Sequence, residues 1–508
     1  MKKRLFLILF SLILVLATGL RLYGITKFPP SLYWEEAALG YDAFSILRTG
    51  KDHHGNPFPI VAFESFGDWK PSLYFYAIVP FIKLLGLTEL AVRLPAALSG
   101  IVIVIGIGLL ARQFAKEKKD KDTLQIITMG VTAISPWAIV FSRAGWEVNL
   151  ATTLILWGVV LFMKGLNKEK KQLWWLLSGA ILLSLSMYAY HAARIVAPLL
   201  GLGLAIIWIK THQKNWTQLL IPAVASLILV APILLSLGRS QTTQRFAETS
   251  IFSNIQVIQE SNLRRERTGN SLLGRAVYHR YVLFGKEILT NFFDHFQGDF
   301  LFISGDINPR HSIGFIGTFY HLEAVFLLLG FYALFNRKIK YRWFLLWWLV
   351  IGILPAALTR TTPHALRILP TLPVWMILIG LGISECLNLT KKYKKILGVI
   401  ILLVYLGELV IFWRFYSKIY PHLYAQEWQV GYKEMIAEVE AKRIANPDRI
   451  IYLSRENGRP AMYYWFYTQT DPREVQAVNA VVKKDQGEFL EFKNLRFVNG
   501  IDENFYLE

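Results

Sequence analysis

Cysteine and charge are both scarce in this sequence. The single cysteine, Cys386, excludes a disulfide scaffold. Only 18% of the 508 residues are charged, where ordinary soluble domains carry roughly 25%, which argues against a water-soluble multidomain enzyme. There is no Walker loop, GxSxG elbow, HExxH pair or dinucleotide fingerprint, so nucleotide-driven chemistry has no support. No internal repeat and no Gly-, Pro- or Ser-rich linker divides the chain. What is abundant is apolar: 54% of residues are hydrophobic, with 16 Trp, 23 Tyr and 33 Phe, too many aromatics for a disordered chain. The net charge of +19 admits nucleic acid or a membrane face as partner, and its distribution decides between them.

Apolar stretches near the length that crosses a hydrocarbon core fall at about 5–22, 92–111, 123–141, 148–163, 173–190, 195–209, 217–237, 319–335, 343–358, 366–384 and 396–415. The first follows Met1-Lys2-Lys3-Arg4 without a small-residue cleavage site and reads as an anchor. Basic clusters at 112–121, 164–171, 210–214, 337–342 and 391–395 occupy alternate loops. With the N-terminus cytoplasmic, all of them obey the positive-inside rule and the C-terminus lies outside. The charge therefore belongs to a lipid bilayer and requires no nucleic acid. Counting 71–87 as a further span would invert every later loop, so this segment is expected to lie flat at the interface.

The expected fold class is mainly α: a polytopic membrane protein of about eleven spans, with interfacial helices in the first outer loop. A transmembrane domain would cover 1–415, with outer loops at about 23–91 and 238–318, the latter without an assignable structure. The tail, 416–508, reads as a small extracytoplasmic α/β module, with a helix over 425–443 and strands at 449–454 and 475–482.

Polar residues collect where loops meet spans on the outer side. Trp34-Glu35-Glu36-Ala37 opens the first outer loop. Desolvation near the bilayer would suit one of these carboxylates to base catalysis, but both also fit as acids complementing a helix dipole over 37–48. Lys70 precedes the interfacial segment, where it could meet a lipid phosphate or simply snorkel. Arg143 and Glu147, spaced i,i+4, could pair on a helix. Tyr190-His191 through Arg194, and Thr359 through Arg367, cap other outer span ends. Carboxylates and cations at one membrane depth suit a phosphate-bearing amphiphile and a group that must lose a proton.

The sequences Trp34-Glu35-Glu36-Ala37-Ala38-Leu39-Gly40-Tyr41-Asp42-Ala43, Thr49-Gly50-Lys51-Asp52, Phe66-Gly67-Asp68-Trp69-Lys70-Pro71-Ser72-Leu73-Tyr74 and Arg93-Leu94-Pro95-Ala96 resemble the first half of the GT-C membrane glycosyltransferases. The similar branch is that of the protein O-mannosyltransferases and the aminoarabinose transferase, the glycosyltransferase family 39-like group. Ser142 to Glu147, Tyr190 to Arg194 and Pro363 to Arg367 are similar to later family landmarks. The resemblance implies a plasma-membrane enzyme that transfers a hexosyl or pentosyl group from a polyprenyl-phosphate donor to an outer-face acceptor, with inversion. That acceptor is a protein, lipid or polysaccharide.

By the same resemblance Glu35 is the base and Glu36 its support, and Glu147 matches a second family acid. Lys70 matches the donor-phosphate lysine, with Arg194 and Arg367 as further phosphate contacts. His191, His364 and Tyr41 are candidates for lining the pocket. Both acids are Glu where the family commonly has Asp, so the carboxylates reach about one methylene further. A metal would need a His/acid pair, and His191 has no convincing partner, so no metal and no other cofactor is expected. The competing class is a transporter or lipid flippase, which would use mid-bilayer charges such as Glu408 or Glu385.

Overall fold

The computed structural model describes residues 2–115, 117, 120–166, 171–236, 249–337, 339–485 and 487–500. The chain is a polytopic, mainly helical membrane protein, and each expected apolar stretch carries a helix. Seven helical segments are long and apolar enough to cross a membrane: Lys3–Leu22, Glu89–Ala111, Glu147–Gly165, Ala193–Thr211, Trp216–Ser236, Leu369–Leu389 and Lys394–Leu423. Gln172–Ser186, Glu323–Asn336 and Arg342–Ala357 are shorter apolar helices. The 123–141 stretch is divided: one helix, Lys121–Ile134, stops at Ser135, whose side chain caps a second short helix at Pro136–Val140. Leu369–Leu389, Glu89–Ala111 and Glu147–Gly165 form the centre of the bundle, whereas Lys3–Leu22 and Lys394–Leu423 present exposed Leu, Ile and Val. Exposed aliphatic faces of this length are the surface a bilayer would cover.

Residues 23–33 run as irregular chain beneath the first outer loop, so their carbonyls have no helical partners. Two buried arginines satisfy them. Arg143 donates to the carbonyls of Leu20, Tyr23 and Phe28, and Arg93 to those of Ile25, Pro29 and Ser31. A planar guanidinium with five donors suits this task better than a lysine. Arg21 similarly ties the first helix to the Ala133 and Thr132 carbonyls.

The first outer loop holds a helix, Trp34–Thr49, a hairpin, Ala62–Ser65 with Asp68–Pro71, and a helix, Leu73–Leu85. The last of these covers the segment expected at the interface. It packs against both Trp34–Thr49 and Glu89–Ala111 through Tyr74, Phe75, Ile78 and Ile82, leaving Leu84 and Leu85 exposed.

The tail differs from its expectation in two ways. Its helix starts later, at Tyr432–Ala445, and Ile451–Ser454 is a strand as expected, but 475–482 is not. There Asp471 caps a helix, Pro472–Val478, by accepting from the Arg473 amide at 2.9 Å, and proline sits at its first position. These start signals outweigh the β-branched residues. The strand that pairs with Ile451–Ser454 is Leu495–Val498, in parallel, with Glu491–Phe492 on its other side. The helix Lys394–Arg414 continues as helical turns at Phe415–Ile419 and Tyr420–Leu423.

The tail shares one apolar core with the first outer loop: Leu39, Tyr41, Phe63, Phe75 and Val92 pack with Ile436, Met462, Trp465, Phe466 and Phe497. At Gly40 the approach is closest, and a Cβ there would lie 2.6 Å from both Phe466 and Val92. Of the 238–318 loop, to which the sequence assigns no structure, 238–248 lies outside the described residues and the rest is helical over Ile255–Arg267, Leu272–Val277 and Arg280–Asp294.

Candidate active site

The hairpin sets the position of Lys70. Its turn places Phe66 and Gly67 at positive φ (+53° and +73°), the backbone that matches strand twist in tight hairpins. In the resulting register Phe63 faces Lys70 and Glu64 faces Trp69. His191 Nε2 donates to the Trp69 carbonyl at 2.9 Å, fastening this strand to the segment that follows the C-terminal end of the Gln172–Ser186 helix. Lys70 is thereby buried, and its Nζ lies 2.7 Å from Oε2 of Glu35, whose side chain is about one-third exposed. Glu35 also accepts a hydrogen bond from the Tyr33 hydroxyl at 3.2 Å.

The neighbouring Glu36 has a different environment. It is fully buried and engages Arg93 through two contacts, Nε to Oε1 at 2.9 Å and Nη2 to Oε2 at 3.0 Å. It also accepts the Gly145 amide at 2.7 Å and the Tyr33 amide at 3.3 Å. With every oxygen lone pair directed at a donor, Glu36 clasps the loop 1 helix to the Glu89–Ala111 helix and to the 143–146 turn. That turn in turn presents Glu147 at the start of the Glu147–Gly165 helix. Both loop 1 acids thus occupy a helix first turn, as the dipole reading required, and only Glu35 is left facing open space.

Tyr33 reports how the charges converge. Burial, together with the carboxylates of Glu35, Glu147 and Glu36, pushes its hydroxyl well above the usual phenol range, and Arg310 opposes them. The Arg310 guanidinium lies 5.4 Å from the Tyr33 ring centre and 5.1 Å from that of Trp34, within cation–π range. Its Nη1 is buried without a hydrogen-bond partner among the described residues. The sequence reading missed this residue, because Asn308-Pro309-Arg310-His311 carries no motif and comes from a loop nearly three hundred residues downstream.

The other expected site residues divide. Arg194 donates Nε to the Met187 carbonyl at 3.3 Å, and its Nη2 is buried with no hydrogen-bond partner among the described residues. Arg367 is held in its own loop by Thr359 Oγ1 at 2.7 Å and the Thr361 carbonyl at 3.2 Å. His364 stands beside it, with burial and the nearby His311 and Arg367 charges driving its imidazole well below the usual range. Tyr41 does not line an opening. It is buried in the loop 1–tail core, its hydroxyl spent on the Thr470 carbonyl at 3.0 Å and its ring 5.7 Å from that of Trp465.

A cation between the acids would have to displace the Lys70 ammonium from Glu35. The mid-span acids also have partners: Glu385 pairs with Arg337, and Glu408 accepts from the His321 amide at 3.1 Å.

Two spaces border the Leu220–Ser236 helix. An apolar groove of about 420 Å³ is lined by Leu183, Met187, Ala197, Leu202, Leu227 and Val230. Farther along the Leu220–Ser236 helix, a second space of about 390 Å³ is bordered by Pro232, Leu235, Ile60 and Trp69. Met187, whose carbonyl accepts from Arg194, is among the residues lining the first, and Trp69 among those lining the second.

This arrangement, a helical bundle with an elaborated first outer loop, is the GT-C fold. The chain is similar to ArnT, an aminoarabinose transferase, from Cupriavidus metallidurans bound to undecaprenyl phosphate: 12% identity, TM-score 0.52, covering 92% of this chain and 85% of that one. It is also similar to the Archaeoglobus fulgidus oligosaccharyltransferase in its apo form, at 12% identity and TM-score 0.56, covering 93% of this chain. The same archaeal protein, AglB, in complex with an inhibitory peptide and a dolichol-phosphate gives TM-score 0.53 at 12% identity, over 92% of this chain. This chain spans 64% of the archaeal proteins. No protein-family model and no curated protein matches the sequence.

Proposed function

We propose that the chain is an inverting glycosyltransferase that moves a sugar, hexosyl or pentosyl, from a polyprenyl-phosphate donor to a protein, lipid or polysaccharide acceptor at the outer membrane face. The observation that carries this reading is the Glu35–Lys70 contact at 2.7 Å, a partly exposed carboxylate held beside a buried ammonium in loop 1. Neighbours of the same fold were solved with undecaprenyl phosphate and with dolichol-phosphate, lipids whose phosphate a buried lysine suits and whose tail an apolar groove suits. Glu385 pairs with Arg337 and Glu408 accepts from the His321 amide, which favours this reading over a transporter.

The chemistry follows from the two side chains. Glu35 takes the proton of the acceptor hydroxyl as its oxygen attacks the anomeric carbon. The bond from that carbon to the phosphate oxygen breaks, and its electron pair leaves with the lipid phosphate. The leaving group is a stronger acid than an alcohol, so it needs charge neutralisation more than a proton. Lys70 supplies that charge, with Arg310 and Arg194 as further cations. Before donor arrives Lys70 is satisfied by Glu35; an incoming phosphate takes over the ammonium and frees the carboxylate. Glu147 stands as the second acid near the acceptor side.

The test is Glu35→Gln in native membranes, supplied with a polyprenyl-phosphate sugar. Transfer is lost while donor binding persists; normal turnover would remove Glu35 from the base role. The topology belongs to the same proposal, with the N-terminus cytoplasmic and the C-terminus outside, in the cell membrane. Reporter fusions at Lys121 and after Val498 should report opposite sides.

A further inference from the structure

A second cluster lies beside this site. Asp306 and His311 come from the end of the 249–318 loop and His364 from the loop between the Arg342–Ala357 and Leu372–Leu389 helices. Asp306 Oδ2 is 3.2 Å from His311 Nδ1 and 3.6 Å from His364 Nδ1, and one ligand atom from each of the three residues falls within 4.8 Å of the others. Two atoms bound to one zinc ion at about 2.0–2.2 Å and a near-tetrahedral angle stand roughly 3.3–3.6 Å apart. The spacing is that of ligands around an ion, and the longer separation between the imidazoles closes by small ring rotations.

The surrounding bonds fix this set and not another. Asp306 is oriented by the Ala365 amide on Oδ2 at 2.7 Å and the Asn308 amide on Oδ1 at 2.9 Å. His295 is close by but fully used. Its Nδ1 donates to the Asn291 carbonyl at 2.8 Å, and its Nε2 accepts the His364 amide at 3.2 Å, so it holds the His364 backbone and offers no lone pair. His364 Nδ1 is buried with no hydrogen-bond partner among the described residues and faces Asp306.

We infer that Asp306, His311 and His364 form a binding site for one divalent transition-metal ion of the zinc class. Two imidazoles and one carboxylate favour such an ion over magnesium or calcium, which take oxygen ligands. Three protein ligands leave a fourth position for water. The ion would join the 306–311 segment to the 359–367 loop. Arg310, next to a ligand, reaches Tyr33 and Trp34, and His311 rests 5.2 Å from the Trp146 ring. Occupancy therefore fixes the downstream loop against loop 1. The site itself does not depend on the glycosyl-transfer reading.

The test uses the full chain in detergent, purified through a tag without histidine, stripped with a chelator and titrated with Zn²⁺ or Co²⁺. The expected result is one ion per chain after gel filtration. Co²⁺ should give the visible bands of a four- or five-coordinate nitrogen/oxygen site. His311→Ala, His364→Ala and Asp306→Asn should each weaken binding more than about tenfold, while His191→Gln keeps it. Should the variants fail to fold, X-ray absorption of the Zn²⁺-loaded wild type decides, with two imidazoles and oxygen expected in the shell. Absence of stoichiometric ion, a shell without imidazole, or variants that bind as the wild type does would each overturn the proposal.

Discussion

Glu35 and Glu36 are the same residue at consecutive positions, and the structure assigns them opposite consequences when each is changed to Gln. Glu36→Gln removes the charge that balances Arg93 while leaving the guanidinium buried. Breaking a buried pair from one side costs about 3–5 kcal/mol, because the surviving ion keeps its desolvation penalty. The amide also places an N–H against the Gly145 or Arg93 donors, where Glu36 now accepts at 2.7–2.9 Å. Glu35 is partly exposed and meets Lys70 and the Tyr33 hydroxyl. Its amide variant should lose less stability than Glu36→Gln, because the side chain is partly exposed and its carbonyl oxygen can still accept from Lys70, but about 10²–10⁴-fold in turnover, the usual contribution of a positioned base. The assay is paired: thermal unfolding in detergent, and transfer measured per folded molecule. A Glu36→Gln protein as stable as wild type, or a Glu35→Gln protein destabilised more than its neighbour, would refute the division of roles.

Other outcomes follow from the same geometry. Lys70→Met should raise the donor concentration needed for half-maximal rate at least tenfold, as a charge-assisted contact to phosphate is worth about 1.5–3 kcal/mol; unchanged donor affinity would exclude the contact. Ala205→Trp, which fills the apolar groove without touching a polar residue, should weaken donor binding several-fold and leave the rate at saturation unchanged. The loop 1–tail core should respond to pH through Asp42 and His53, whose side chains meet at 2.7 Å. Burial pushes Asp42 up to about 7 and His53 down to about 4. The raised Asp42 stabilises at low pH and loses that contribution as pH rises through about 7. The depressed His53 contributes above its ordinary value near 6.5 and loses it as pH falls through about 4. Between about 4 and 6.5 they oppose each other, so wild-type melting should fall as pH rises from about 6.5 to about 7 and level off above that, and Asp42→Asn should remove the fall. A wild-type curve that is flat over this range would exclude the Asp42 contribution.

The helices were legible because each is a long apolar run ended by charge, a signal that needs no partner. The Glu35–Lys70 meeting was half legible: the residue types and their loop were readable, but the separation depends on the hairpin register. What could not be read was which of two adjacent acids would be consumed internally. Glu36 is decided by Arg93 and the Gly145 amide, 57 and 109 residues away, and no local pattern marks that. The tail strand misplaced to 475–482 shows the converse, where a local cap at Asp471 was available in the sequence and outweighs β-branched composition.

Arg310 and the Asp306–His311–His364 cluster belong to a third kind. Their residues stand in segments with no periodicity, and they become a site only because the 249–318 loop folds back between loop 1 and the 359–367 turn. The Trp146 ring, 5.2 Å from both Tyr33 and His311, is the physical seam between the two. Its helix-start neighbour Glu147 is thereby held by the Glu36 clasp on one side and by the downstream loop on the other. A substitution that empties this seam, Trp146→Ala, should cost about 3–5 kcal/mol as a buried aromatic truncation. It should also lower transfer even in the fraction that remains folded, since it uncouples Arg310 from Tyr33. Folded Trp146→Ala protein with wild-type turnover would show that the downstream loop does not act on loop 1 through this contact.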